Sequence, residues 1–182
     1  MLYHRKTPRA SWYDYTLPWC YFVTVCTHDR EHYFGEIIDG GMLLEQRGMI
    51  CAQELDSMVQ KRPSVDIHEY SIMPNHVHLL MVIDDRRDTG LPCPDNNNTQ
   101  SNKDDASVRP YNPPSVITNQ SLWSIIGWWK SATSKRCHEQ WLAFWRQSRY
   151  HDHIIRDEWE YERIKYYIQN NPKNRKEDNL YT

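Results

Sequence analysis

Ser71-Ile72-Met73-Pro74-Asn75-His76-Val77-His78-Leu79-Leu80-Met81-Val82-Ile83 is an apolar run interrupted by two histidines with one residue between them. Successive side chains of a β-strand point to opposite faces, so His76 and His78 emerge together while Val77 goes to the other side. Two neighbouring imidazoles can hold one metal ion. The same alternation also serves a half-exposed sheet face that binds nothing, and this stretch alone leaves both readings open. Pro74-Asn75 is turn chemistry, so Val65 to Met73 is expected as a strand adjacent to His76 to Ile83.

On the N-terminal side, Tyr21 to Thr27 is dense in β-branched and aromatic residues and predicts a central strand. Phe34 to Leu44 predicts a small hairpin, because Asp39-Gly40-Gly41 supplies the positive φ that a tight turn requires. Between Arg47 and Lys61, Ile50, Leu55, Met58 and Val59 recur at helical spacing, and Pro63 ends the segment.

On the C-terminal side the composition shifts. Residues 84 to 115 hold five prolines, the triplet Asn96-Asn97-Asn98, many Asp and Ser, and almost nothing apolar. Such a segment buries too little surface to offset its ordering entropy, so a flexible insert is expected at about 85–115. Ser121 to His138 predicts a helix with Leu122, Ile125, Ile126 and Trp129 as its apolar stripe. Lys130, Lys135 and Arg136 gather toward its end, where basic residues commonly do no more than complement the helix dipole. Residues 141 to 156 carry no assigned element. A last helix is expected over Asp157–Asn170, with Pro172 beyond its end. On it Tyr161, Ile164 and Ile168 share a buried stripe, Tyr167 lies on the flank, and Asn171 follows one turn later on the same side. Trp159 and Tyr166 point elsewhere.

At 182 residues the chain has one domain's worth of length, and a single domain over 1–182 is expected. The 13% aromatic content offsets a modest 39% of apolar residues in supplying buried area. Lys and Arg (22) nearly balance Asp and Glu (24), so nucleic-acid binding would need a local basic patch rather than a global field. The five cysteines are odd in number and lack any C-x-x-C pair, which argues against a disulfide framework and for a reducing compartment. Residues 1 to 9 are polar and basic, and no run is long enough to span a bilayer. A cytoplasmic protein with no membrane partner is the expectation.

Glycine-rich phosphate loops and the clustered carboxylates of a two-metal nuclease are absent. What remains is the histidine pair, a tyrosine-bearing terminal helix and basic residues on the helix before it. Four blocks in order carry a resemblance: Met73-Pro74-Asn75-His76-Val77-His78-Leu79-Leu80, Ser124 to Ser131, Gln147 to Arg156, and Tyr167-Ile168-Gln169-Asn170-Asn171-Pro172. From Tyr21 to Asp178 the chain resembles the single-tyrosine HUH transposases, in the branch of the REP-associated tyrosine transposases. The third block departs from the family pattern, since Arg146 stands where a Trp commonly precedes the glutamine.

The resemblance implies an α+β fold, a ferredoxin-like antiparallel sheet flanked by helices, acting on single-stranded or hairpin DNA. It implies His76 and His78 as metal ligands, Asn171 as a third, and Tyr167 as the nucleophile. An amide carbonyl oxygen suits a hard cation, and a phenol with a pKa of about 10 is a poor nucleophile unaided, so Mg²⁺ or Mn²⁺ is expected rather than closed structural zinc. Attack by Tyr167 would yield a 5′-phosphotyrosine and a free 3′-OH, which a second DNA end can reverse without ATP. Lys130 is the first expected phosphate contact, followed by Lys135, Arg136 and Arg149. His151 and His153 are expected as a structural or DNA-proximal pair. Most of the aromatics are expected in the core. The resemblance admits a homodimer, and it admits a domesticated relative that binds nucleic-acid hairpins without cutting. Once bound to DNA the protein would be nucleoid-associated.

Overall fold

The chain was described from a computed structural model, which covers residues 19–83, 121–144 and 150–174. The expected insert at 85–115 and Arg149 lie outside the described residues.

The described residues form nine elements. They are β1 (Trp19–Cys26), β2 (Gly35–Ile38), β3 (Gly41–Leu44), α1 (Gln46–Lys61), β4 (Val65–Met73), β5 (His76–Ile83), α2 (Leu122–Glu139), β6 (His151–Ile154) and α3 (Glu158–Asn170), with one 3₁₀ turn at His28–Arg30. β2 and β3 form a separate hairpin whose turn residues, Asp39 at φ 51° and Gly40 at φ 76°, both take the positive φ expected of Asp-Gly.

The main sheet runs β4-β5-β1-β6, antiparallel throughout. Leaving out the hairpin and the final helix α3, the chain order is βαββαβ, with each crossover helix skipping one strand, so the expected ferredoxin-like architecture is the observed one. Tyr21, Val23, Val25, Val77, Leu79, Met81 and Ile83 cover one sheet face and pack with Ile50, Leu55 and Met58 of α1 and Leu122, Ile125, Ile126 and Trp129 of α2. Cys20, Leu80 and Val82 belong to the opposite face, where Tyr161, Ile164 and Ile168 of α3 close over them with Phe22 at the margin.

Both faces of β5 are therefore covered, and all eight of its residues are buried. A half-exposed sheet face does not describe the histidine strand. Cross-strand pairs share a face, and the register Thr24↔His78 and Cys26↔His76 puts both histidines on the α3 side.

β6 is the element without an expected counterpart. It pairs with β1 through Tyr21↔Ile154, Phe22↔His153, Val23↔Asp152 and Thr24↔His151. Four residues reading His-Asp-His-Ile carry little β-propensity, and only the waiting edge of β1 makes them a strand.

Candidate metal and tyrosine site

The turn before β5 is pinned to the end of β1. Thr27 donates its backbone N–H to the Asn75 carbonyl at 2.9 Å and shares its hydroxyl proton between that oxygen (3.0 Å) and the Glu31 carbonyl (2.7 Å), which sets where β5 begins. Asn75 Oδ1 lies 2.7 Å from His76 Nδ1. A carbonyl oxygen only accepts, so His76 Nδ1 is the donor of this pair.

His78 is held from both ends. Its Nδ1 lies 2.8 Å from Thr24 Oγ1, and its Nε2 lies 3.2 Å from the Tyr167 hydroxyl. The two imidazole rings are 4.6 Å apart at 68°, and Phe22 stacks on His78 at 5.2 Å while meeting Tyr167 edge-on at 6.3 Å. Both histidines are buried, whereas Tyr167 is 39% exposed, so its hydroxyl sits between the histidine pair and solvent. Tyr166, at 66% exposure, faces away.

Several contacts place α3 so that Tyr167 meets His78. The buried stripe of Tyr161, Ile164 and Ile168 sets its roll on the sheet, as expected. His68 Nδ1 lies 2.7 Å from the Tyr161 hydroxyl, and Gln169 donates to Glu69 at 2.6 Å, tying the helix to β4. At the N-terminus Asp157 accepts from the Glu160 N–H at 2.8 Å, and Glu160 accepts from the Arg156 N–H at 3.0 Å, a variant of the capping box. His153 of β6 meets the same carboxylate at 2.7 Å. Partial burial pushes the Glu160 carboxyl up, but the hydrogen bonds from His153 and Arg156, with the charges of His153 and Arg163, outweigh it and hold the group below the usual carboxylate range.

Asn171 caps the other end. It is 1% exposed, and neither its Oδ1 nor its Nδ2 has a hydrogen-bond partner. An unsatisfied buried amide costs roughly 1–3 kcal/mol, so a carbonyl oxygen in that state fits a ligand role better than a packing role. Two imidazoles and an amide oxygen are donor types that could hold a divalent cation. Among the described residues no group of three His, Cys, Asp or Glu side chains could hold a metal.

Of the basic residues expected at DNA, the described ones, Lys130, Lys135 and Arg136, do not join this cluster. α2 packs with α1 on the sheet face opposite α3. Lys130 is 4% exposed, lines a cavity with Val25, Cys51, Trp129, Thr133 and Phe144, and holds Nζ 5.9 Å from the Tyr150 ring. Arg136 bonds Glu54 of α1 at 3.0 Å, and Lys135 pairs with Glu139 one turn on at 3.7 Å. Thr24, Asn75 and Phe22 are site residues that sequence reasoning missed; only the β1–β5 register singles out Thr24, and no local signal marks it. The expectation that most aromatics are core holds for Tyr21, Trp129, Phe144 and Tyr161, while Trp123, Trp141 and Trp159 are more than half exposed. Cys20, Cys26, Cys51 and Cys137 are buried free thiols.

Fold and site geometry together describe a ferredoxin-like domain with a histidine-x-histidine central strand and a tyrosine helix laid over it. That is the fold of a solved REP-associated tyrosine transposase bound to a REP hairpin, with a TM-score of 0.57 and 17% identity over 92% of this chain and 74% of that one. A candidate transposase of Deinococcus radiodurans overlaps more loosely, with a TM-score of 0.43 and 14% identity over 89% of this chain and 95% of that one. No family model matches the chain. An uncharacterized protein of Haemophilus influenzae is 32% identical over 182 residues, 99% of this chain and 94% of that protein. The chain belongs to the same family as that Haemophilus protein.

Proposed function

We propose that this protein cleaves and rejoins single-stranded or hairpin DNA by a metal-dependent transesterification in which Tyr167 is the nucleophile. The observation that carries the reading is the 3.2 Å contact between the Tyr167 hydroxyl and His78 Nε2, beside His76 and on the helix that ends in the buried Asn171 amide. The likeness of fold to a transposase bound to a hairpin supports DNA as the partner.

His76, His78 and Asn171 would hold the cation, and a bound Mg²⁺ or Mn²⁺ supplies polarisation of the scissile phosphate and relief of its developing charge. The chain's own groups do the rest. Without metal, His78 Nε2 keeps the tyrosine hydroxyl at the ligand cluster; a cation would take over that nitrogen and leave the hydroxyl beside it, which removes part of the entropy of bringing nucleophile and phosphate together. The Tyr167 oxygen then attacks phosphorus, the bond to the 3′ oxygen breaks, and a 5′-phosphotyrosine remains with the chain. Phe22, stacked on His78 and edge-on to Tyr167, limits the swing of both rings.

The test is adduct formation with hairpin oligonucleotides in Mn²⁺. Wild-type protein should give a covalent protein–DNA band on a denaturing gel, and Tyr167→Phe should give none while still shifting the DNA on a native gel. An adduct in Tyr167→Phe refutes the nucleophile. A second reading, a hairpin-binding protein that does not cut, draws on the same hydrogen bond, because a closed Tyr167–His78 contact would persist in a protein that never takes up metal. A native-gel shift with no covalent band from the wild type favours it.

A further inference from the structure

The second histidine-x-histidine stretch, His151-Asp152-His153, is absorbed only in part by the site above. Its placement follows from register. Ser71↔His78, Thr24↔His78 and Thr24↔His151 align Ser71, His78, Thr24 and His151 in one row across β4, β5, β1 and β6, all on the α3 side of the sheet. His151 and His78 are thus separated by a single intervening strand, roughly 10 Å between backbones at the usual strand spacing. His153 is committed to Glu160, whereas His151 is exposed at the sheet edge.

We infer that His151 is the general acid that protonates the leaving 3′ oxygen, and in the reverse step the base that deprotonates an incoming 3′-OH. The inference rests on the transesterase reading. The nucleophile approaches from the β5 side of the row, where Tyr167 meets His78. Attacking and leaving oxygens stand on opposite sides of the phosphorus, roughly in line. A phosphate placed beyond Tyr167 along the row, over β1, therefore turns its leaving oxygen toward β6 and His151. Imidazole is the side chain that both gives and takes a proton near neutral pH. The step balances: the bond from the Tyr167 oxygen to phosphorus forms as the bond to the 3′ oxygen breaks, the phenol proton goes to solvent, and the imidazolium proton goes to the 3′ oxygen. Neutral His151 is then the base that rejoining needs.

The experiment uses the full chain, Mn²⁺ and a hairpin oligonucleotide whose cleavage position has been mapped with the wild type. It is prepared in two forms, with oxygen or with sulfur at the 3′ bridging position. A thiolate leaves without a proton. His151→Ala should form the covalent adduct about 10²–10⁴-fold more slowly than wild type on the oxygen substrate and at nearly the wild-type rate on the sulfur substrate. Equal losses on both assign His151 to binding or structure and overturn the inference, as does an undiminished rate on oxygen. Wild-type protein that cleaves no hairpin oligonucleotide, so that no position can be mapped, brings down the transesterase reading itself, a result distinguishable because it does not involve the variant.

Discussion

The Tyr167 hydroxyl and His78 Nε2 meet at 3.2 Å across 89 residues of sequence, bridging α3 and β5. Neither residue is placed by its neighbours in the chain. β5 is fixed by the sheet and α3 by its cap, its buried stripe and its two ties to β4, so the contact depends on everything that seats these two elements.

Thr24 holds the far side of the His78 ring through a 2.8 Å hydrogen bond to Nδ1. Thr24→Val keeps the shape and removes the hydroxyl. Urea denaturation should show a loss of about 1 kcal/mol, the net worth of one buried hydrogen bond. Mn²⁺ titration followed by electron paramagnetic resonance should show affinity falling by about 10–100-fold, as for other groups that orient a metal-binding histidine. Unchanged affinity would mean that Thr24 does not orient a ligand.

Asn171 separates stability from function. Its buried amide has no hydrogen-bond partner among the described residues, so Asn171→Leu, which keeps the branched shape and removes the polar atoms, should raise the unfolding free energy of the metal-free protein by about 1 kcal/mol. The same variant should lose the stabilisation that Mn²⁺ gives the wild type in thermal unfolding. A variant that loses stability without metal would show that the amide is satisfied in the protein.

Glu160 makes the stability of the α3 start depend on pH. Its carboxyl titrates below the usual range in the folded chain, through its bonds to His153 and Arg156. The unfolded chain therefore takes up this proton first on acidification, and the contribution of Glu160 is fully present above about pH 4.3 and disappears as pH falls through the lower folded value. Wild type should be more stable than Glu160→Gln near neutral pH, with the gap closing in acid. A gap independent of pH in urea denaturation would remove the electrostatic account.

Two helical glycines should respond in opposite directions. A Cβ on Gly48 of α1 would collide with the Phe34 carbonyl oxygen and lie 2.9 Å from the Leu44 side chain, so Gly48→Ala should destabilise by about 1–3 kcal/mol despite alanine's better helix propensity. A Cβ on Gly127 of α2 would meet nothing within 4 Å, and Gly127→Ala should stabilise by about 1 kcal/mol. Thermal unfolding of the two variants checks both signs.

Local pattern determined much of this molecule. Alternation and turn chemistry marked β4, β5 and the Pro74-Asn75 turn, Asp39-Gly40 marked the hairpin, and helical spacing marked α1, α2, α3 and their buried stripes. These signals are legible because strand and helix periodicity follow from backbone dihedrals, which each segment carries with it. The pairing of His76 with His78 on one face, and of Tyr167 with Asn171 on one side of a helix, was legible for the same reason.

Tertiary structure alone decided which faces meet. It put α3 on the sheet face opposite α1 and α2, turned His151 to Ile154 into an edge strand, brought Thr24 to the far side of the His78 ring, and buried Lys130 in the other layer. Register across long loops and the choice of sheet face arise from burying several apolar stripes at once, a condition on the whole chain that no single stretch encodes. The histidine pair was written in thirteen consecutive residues; its meeting with Tyr167 required the fold.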